Sequence, residues 1–258
     1  MATVSRASSA KSMSDKISSV PVESVTALKI CSTEIMESDM KFSLVRRHCS
    51  VLVLTTFVAG TCGTLAQAAQ ASPAPTILVV GDSLSAEYGL QRGQGWVALL
   101  QARLQSEKSN ATVVNASISG DTTAGGRSRL PALLTQHKPA VVVIELGGND
   151  ALRGLPLSMT RDNLQAMANA AKAAHAQVLL LGMQVPPNYG QAYGREFADA
   201  FSQVAAKSDA ALVPFFLKGV ADGPDATKLF QADRIHPVAA AHPTLLNNVW
   251  PSLKKLMR

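Results

Sequence analysis

The chain has 258 residues, of which 47% are hydrophobic and 16% charged, with a formal net charge of +6. That composition reads as globular, with enough apolar material to bury a sizeable core in one or two domains. Lys41, Arg46 and Arg47 cluster early and the other basic residues are scattered singly among acids, without a basic stripe interleaved with aromatics, so nucleic-acid binding is not expected. All three cysteines, Cys31, Cys49 and Cys62, fall in the first quarter of the chain, which leaves the body without a disulfide, a cysteine nucleophile or a cysteine-based zinc site.

Residues 1–39 are Ser-rich, polar and patternless, and read as an upstream extension of the reading frame, disordered if translated, with Met40 as the start. Residues 40–71 combine a positive beginning, an apolar run from Cys49 to Gly60 and a small-residue end at Ala69-Gln70-Ala71. That is the three-part pattern of a secretory signal peptide cleaved near Ala71, and its apolar run is too short for a stable membrane span. Residues 72–258 are expected to form one domain, in the periplasm or outside the cell.

Thr76 to Val80 is an apolar, β-branched run that stops at Gly81-Asp82-Ser83, the pattern of a strand buried on both faces. Strand-like and helix-like segments then alternate. Trp96–Glu107 places Trp96, Leu99, Leu100 and Leu104 at helical spacing, and Thr112–Val114 is a short strand. Gly126–His137 reads as a helix, Ala140–Ile144 as a buried strand, Ser158–Ala174 as a helix capped by Ser158, and Gln177–Gly182 as a further strand. Gln191–Ser208 is a fourth helix, Ala211–Val213 a fifth strand, and Ala239–Met257 a helix interrupted or shifted around Pro243 and Pro251. Five strands alternating with helices predict a parallel sheet wrapped on both faces, because parallel neighbours need crossover connections.

In such a sheet the carboxyl ends of the strands gather on one edge, where ligands bind. Three polar turns follow apolar runs: Gly81-Asp82-Ser83-Leu84-Ser85, Asn115 to Gly120-Asp121-Thr122, and Glu145-Leu146-Gly147-Gly148-Asn149-Asp150; Asp233-Arg234-Ile235-His236-Pro237 comes later. A serine hydroxyl is a useful nucleophile when a base removes its proton, and a histidine is a useful base when a carboxylate fixes its tautomer. Asp233, three positions before His236, can reach Nδ1 within one loop and leave Nε2 for Ser83. The N–H groups of Ser83 and Gly120 and the amide of Asn149 would receive the oxyanion. Each feature alone has a plainer reading: Asp82, Ser83 or Asn149 as a helix cap, Gly120 as a turn, Asp233 and His236 as a loop contact. Their joint occurrence, four in order and three of them at strand ends, is what points to chemistry.

His137, His175 and His242 lack metal-ligand spacing with a carboxylate and read as caps, surface groups or satisfied core residues, so no metal is expected. Neither Gly-x-x-x-x-Gly-Lys nor Gly-x-Ser-x-Gly occurs. A reading from another class is a flavodoxin-like binding module holding a flavin or a phosphate. Asp82, Asp121, Glu145 and Asp150 are expected to make the edge acidic and so to disfavour an anion.

The four blocks resemble those of the SGNH, or GDSL, hydrolase superfamily. Gly81 to Ala86, Asn115 to Thr122, Leu146 to Gly154 and Pro187 to Gly190 are similar to the bacterial periplasmic arylesterases, thioesterases and lysophospholipases, over a stretch that begins near Thr76. The resemblance implies a flavodoxin-like three-layer α/β/α sandwich, with Ser83 as nucleophile, His236 as base, Asp233 as its partner, and Ser83, Gly120 and Asn149 as the oxyanion hole. It implies hydrolysis of carboxylic esters or thioesters through an acyl-enzyme without a cofactor, with a carbohydrate acetyl esterase as the alternative. Leu152, Leu155 and Pro187 are expected at the substrate site, where apolar residues favour acyl chains over sugars. Glu87 and Arg234 stand where that group carries small residues, so substrate preference is where this chain should depart from it. The expected partner is a small ester or thioester, and the expected state a monomer.

Overall fold

The computed structural model describes residues 74–223 and 226–257, so the extension and the signal peptide lie outside the described residues. Five apolar runs form β1 (Thr76–Gly81), β2 (Thr112–Asn115), β3 (Val141–Glu145), β4 (Gln177–Leu181) and β5 (Ala211–Val213), paired in parallel in the order β2-β1-β3-β4-β5. Every residue of the central β3 is buried, whereas the edge strand β2 is half-buried or exposed throughout. The register sets Gly81 opposite Glu145, which puts a carboxyl beside the loop that leaves β1.

Six helices complete the α/β fold: α1 (Trp96–Ser106), α2 (Thr123–His137), α3 (Gly148–Leu152), α4 (Leu157–Ala173), α5 (Gln191–Ser208) and α6 (His242–Leu256). α1 packs on α6, while α4 lies between α2 and α5, so the sheet is sandwiched between two helical layers. Trp96 at the start of α1 is wholly buried and meets the edge of Phe216 at 5.6 Å between ring centroids. Burial of this kind, at about 25 cal/mol per Å² of apolar surface, is the main source of stability in such a core.

Three boundaries differ from the sequence expectation. Helix α4 begins at Leu157, behind Pro156, whose carbonyl accepts the Met159 and Thr160 N–H groups; Ser158 is exposed within the first turn and caps nothing. Helix α2 begins at Thr123 rather than Gly126, because the Thr122 side chain accepts the Gly125 N–H at 3.3 Å. Helix α6 runs unbroken through Pro251: Pro243 lies in its first turn, where no N–H is needed, and a separate 3₁₀ turn covers Ala239–Ala241. The polar turn after β3 holds a short helix, α3, that a Gly-Gly-Asn-Asp sequence does not announce.

Candidate active site

Where β1 ends, the chain turns sharply: Ser85 and Ala86 donate their N–H groups to the Asp82 carbonyl, and Leu84 donates its own to Asp82 Oδ1 at 3.0 Å. This turn lifts Ser83 out of the sheet edge, half-buried between two buried neighbours. Gly81 is required there by space, since a Cβ would stand 2.8 Å from both Glu145 Oε2 and Ser85 Oγ.

Two side chains line up on this serine. Ser83 Oγ lies 2.7 Å from His236 Nε2, and His236 Nδ1 lies 2.7 Å from Asp233 Oδ2. Asp233 Oδ1 accepts the N–H groups of Ile235 at 2.9 Å and His236 at 3.0 Å, which, with the imidazole contact, lower its pKa to about 2. The Tyr88 ring covers the imidazole at 4.3 Å between centroids, a contact that no motif in the sequence flags.

Of the expected oxyanion donors, Asn149 lines the same cavity as Ser83. Neither the Ser83 nor the Gly120 N–H donates to any described residue, and Gly120 adopts φ +78, a left-handed turn that glycine takes freely. The Asn149 amide differs from the expectation of a free donor. Its Nδ2 donates to Asp82 Oδ2 at 3.0 Å and to the Asp121 carbonyl at 2.9 Å, so both protons are engaged.

The four acids of the strand-end edge are buried or paired rather than solvated. Asp82, Glu145 and Asp150 are buried, at 2%, 0% and 0% exposure, and Asp121 is bonded to Arg129 Nε at 2.8 Å. Glu145 Oε2 takes the Ser85 hydroxyl at 2.7 Å and the Asp82 N–H at 3.3 Å; burial first, and then the neighbouring Asp82 charge, push its pKa well up. Burial likewise raises Asp82 to about 6, against the hydrogen bonds and the His236 charge that favour its ionised form. Asp150 accepts the Thr123 N–H at 2.9 Å and the hydroxyls of Thr123 and Thr160, which ties α2 and α4 to the short helix carrying Asn149. Arg129 reaches the carbonyls of Gly81 at 3.3 Å and Ala116, holding the first two strand-end loops together. Sequence reasoning missed these braces because acids in polar turns and an arginine on a helix look solvated.

A cavity of about 590 Å³ opens onto Ser83, Asn149 and His236. Its walls are mainly apolar, with Leu152, Met183, Val185, Pro187, Phe197 and Phe215 among them. Leu155 is not part of this wall: it follows Gly154 in a turn that returns its N–H to the Asp150 carbonyl at 2.9 Å. Glu87 is not either. Its carboxylate accepts the N–H groups of Gly93 and Gly95 and closes the loop before α1. Among the other histidines, His242 is buried and accepts the Trp96 N–H at 3.0 Å, burial keeping its pKa low, while His137 ends α2. Among the described residues no cluster of three or more His, Cys, Asp or Glu could hold a metal ion.

Residues 79–243 match the GDSL-like lipase/acylhydrolase family. This chain belongs to that family. It is 56% identical over 196 residues to esterase TesA of Pseudomonas aeruginosa, a match that spans 76% of this chain and 96% of the relative. The enzyme is 42% identical over 188 residues to thioesterase 1/protease 1/lysophospholipase L1 of Escherichia coli, spanning 73% of this chain and 88% of that one. A crystal structure of TesA superposes with a TM-score of 0.68 at 58% identity, covering 70% of this chain and 99% of the other. The protein is thus an SGNH-type serine hydrolase that acts on esters.

Proposed function

We propose that Ser83, His236 and Asp233 are the catalytic residues of this esterase. Ser83 Oγ attacks the carbonyl carbon of a carboxylic ester or thioester while His236 Nε2 takes its proton and Asp233 holds the imidazolium. The Ser83 and Gly120 N–H groups receive the oxyanion, and Asn149 contributes by sharing one of its two engaged amide protons with it. The C–O or C–S bond breaks as His236 returns the proton to the leaving alcohol or thiol; water then attacks the acyl-enzyme, with His236 again as base, and the acid departs. The observation that supports this reading most is the unbroken chain of two 2.7 Å contacts from Ser83 through His236 to Asp233.

The apolar cavity favours acyl chains over sugars, with Leu152 and Pro187 on its wall, and the relatives' names support aryl esters, acyl thioesters and lysophospholipids as substrates. The enzyme works as a monomer in the periplasm or outside the cell, after cleavage of residues 40–71 near Ala71; among the described residues no helix is long and apolar enough to cross a membrane. Ser83→Ala tests the catalytic assignment. Turnover of 4-nitrophenyl butyrate should fall by at least about 10³-fold with the melting temperature unchanged, and retention of most of the activity refutes the assignment.

A further inference from the structure

The loop that carries the imidazole also carries a cation with no counter-charge among the described residues. Arg234 has φ +57, a left-handed conformation that glycine takes freely and that a residue with a Cβ resists. Its backbone N–H closes the turn on the Gln231 carbonyl at 2.9 Å, a task glycine would perform as well. The guanidinium makes no hydrogen bond or ion pair with any described residue, yet Arg234 lines the cavity beside Ile235 and His236. A side chain kept where glycine would serve, and facing the cavity, invites a role for that side chain.

We propose that Arg234 is a specificity residue that selects esters whose leaving group carries an anion, a phosphate or a carboxylate. This rests on the catalytic reading above, which also fixes the side of the site concerned. His236 Nε2 must face the leaving atom to protonate it, so whatever is attached to that atom passes along the Asp233–His236 loop, while the acyl chain occupies the apolar wall at Met183, Val185 and Phe197. A guanidinium in that loop meets the leaving group rather than the acyl chain, and its fork of donors suits two oxygens of one anion.

Most of the acids near the site are buried or already bound to donors. Glu145 and Asp150 are buried, Asp121 is bonded to Arg129, and Asp233 is held by His236 and two N–H groups. Two carboxyls remain on the cavity wall: Asp82, buried beneath Ser83, and Asp222, whose Oδ1 accepts the Gly219 N–H. A second cation, Arg153, lies beside Gly120 and donates to its carbonyl at 2.7 Å.

The experiment compares wild type with Arg234→Gly and Arg234→Gln on esters of one acyl chain: 1-butyrylglycerol, its 3-phosphate, phenyl butyrate and 3-(butyryloxy)benzoate. The ratio of kcat/KM for the phosphate ester over that for its neutral counterpart should fall about tenfold in both variants, and the ratio for the carboxylate pair about threefold, mainly through KM. Both falls should shrink between about 20 mM and about 300 mM NaCl, since the guanidinium is exposed to solvent. Arg234→Gly relieves the positive φ and should melt no lower than wild type, which separates a lost contact from a misfolded loop. Equal ratios in wild type and both variants overturn the inference and leave the esterase reading intact. A wild type that hydrolyses none of the four esters overturns that reading, and this inference with it.

Discussion

Asp233 and Asp82 are the same side chain in the same site, and they titrate on opposite sides of the ordinary carboxylate range. Asp233 lies on an exposed loop, receives two backbone N–H groups and an imidazole, and is lowered to about 2. Asp82, at 2% exposure, also receives hydrogen bonds, from Leu84 and Asn149, yet burial raises it to about 6. Hydrogen bonds alone therefore do not decide a carboxyl's acidity; what decides it is whether they outweigh the loss of water. The exposed carboxylate can support a charge that appears on His236 during turnover, and the buried one is suited to holding a shape.

The largest expected effect tests the first half of that contrast. Asp233→Asn should lower kcat for 4-nitrophenyl butyrate by about 10³- to 10⁴-fold at pH 7, as expected for an imidazole left with the wrong tautomer. Asp82→Asn should lower it about tenfold or less, because the Leu84 N–H still finds an oxygen and only the Asn149 contact is disturbed. Equal losses in steady-state kinetics would erase the distinction.

His242 extends the comparison to a buried base. His242→Ala should cost about 2–4 kcal/mol in a urea titration, by leaving a void and the Trp96 N–H unpaired. Its folded pKa lies below the unfolded value, so the contribution is present above about pH 6.5 and is lost as the pH falls below it, where only the unfolded chain takes the proton.

For Asp82 the sign is reversed. Its folded pKa of about 6 exceeds the ordinary 3.8, so wild-type stability falls as the pH rises between those values. Asp82→Asn should abolish that fall, giving on the order of 2 kcal/mol at pH 8 and no gain below pH 4. A flat difference across pH would show that the gain has another origin. The smallest effect belongs to Tyr88, tilted over His236 but 51% exposed: Tyr88→Ala should change kcat about threefold and leave stability within about 0.5 kcal/mol.

The sheet was legible in the sequence because buried parallel strands have no polar positions: Ile77 to Val80 and Val141 to Ile144 are apolar without interruption and wholly buried. The gathering of the Ser83, Gly120 and Asn149 turns was legible for a related reason, since strand ends converge on one edge, whereas His236, in the long segment after β5, was joined to them only by its chemistry and the resemblance. The braces under the site were not legible. Glu145, Asp150 and Arg129 belong to residue types that usually face water, and nothing local says that Thr123, Thr160 and Ser85 will be brought to meet two of them. The five-residue α3 was hidden because two glycines and an Asn-Asp pair favour turns over helix. Arg234 stood out in the sequence as a departure, but the positive φ that gives the departure a meaning is a property of the folded loop.

The contact between Ser83 and His236 joins residues 153 apart, and β2, β3, β4 and β5 all lie between them in the chain. Closing so long a loop is entropically unfavourable until the intervening strands have docked. If Ser83 and His236 act as proposed, catalysis waits on the whole sheet. Until then the Ser83 hydroxyl lacks the imidazole that would take its proton. An activity assay during refolding would time the last step of assembly rather than the first.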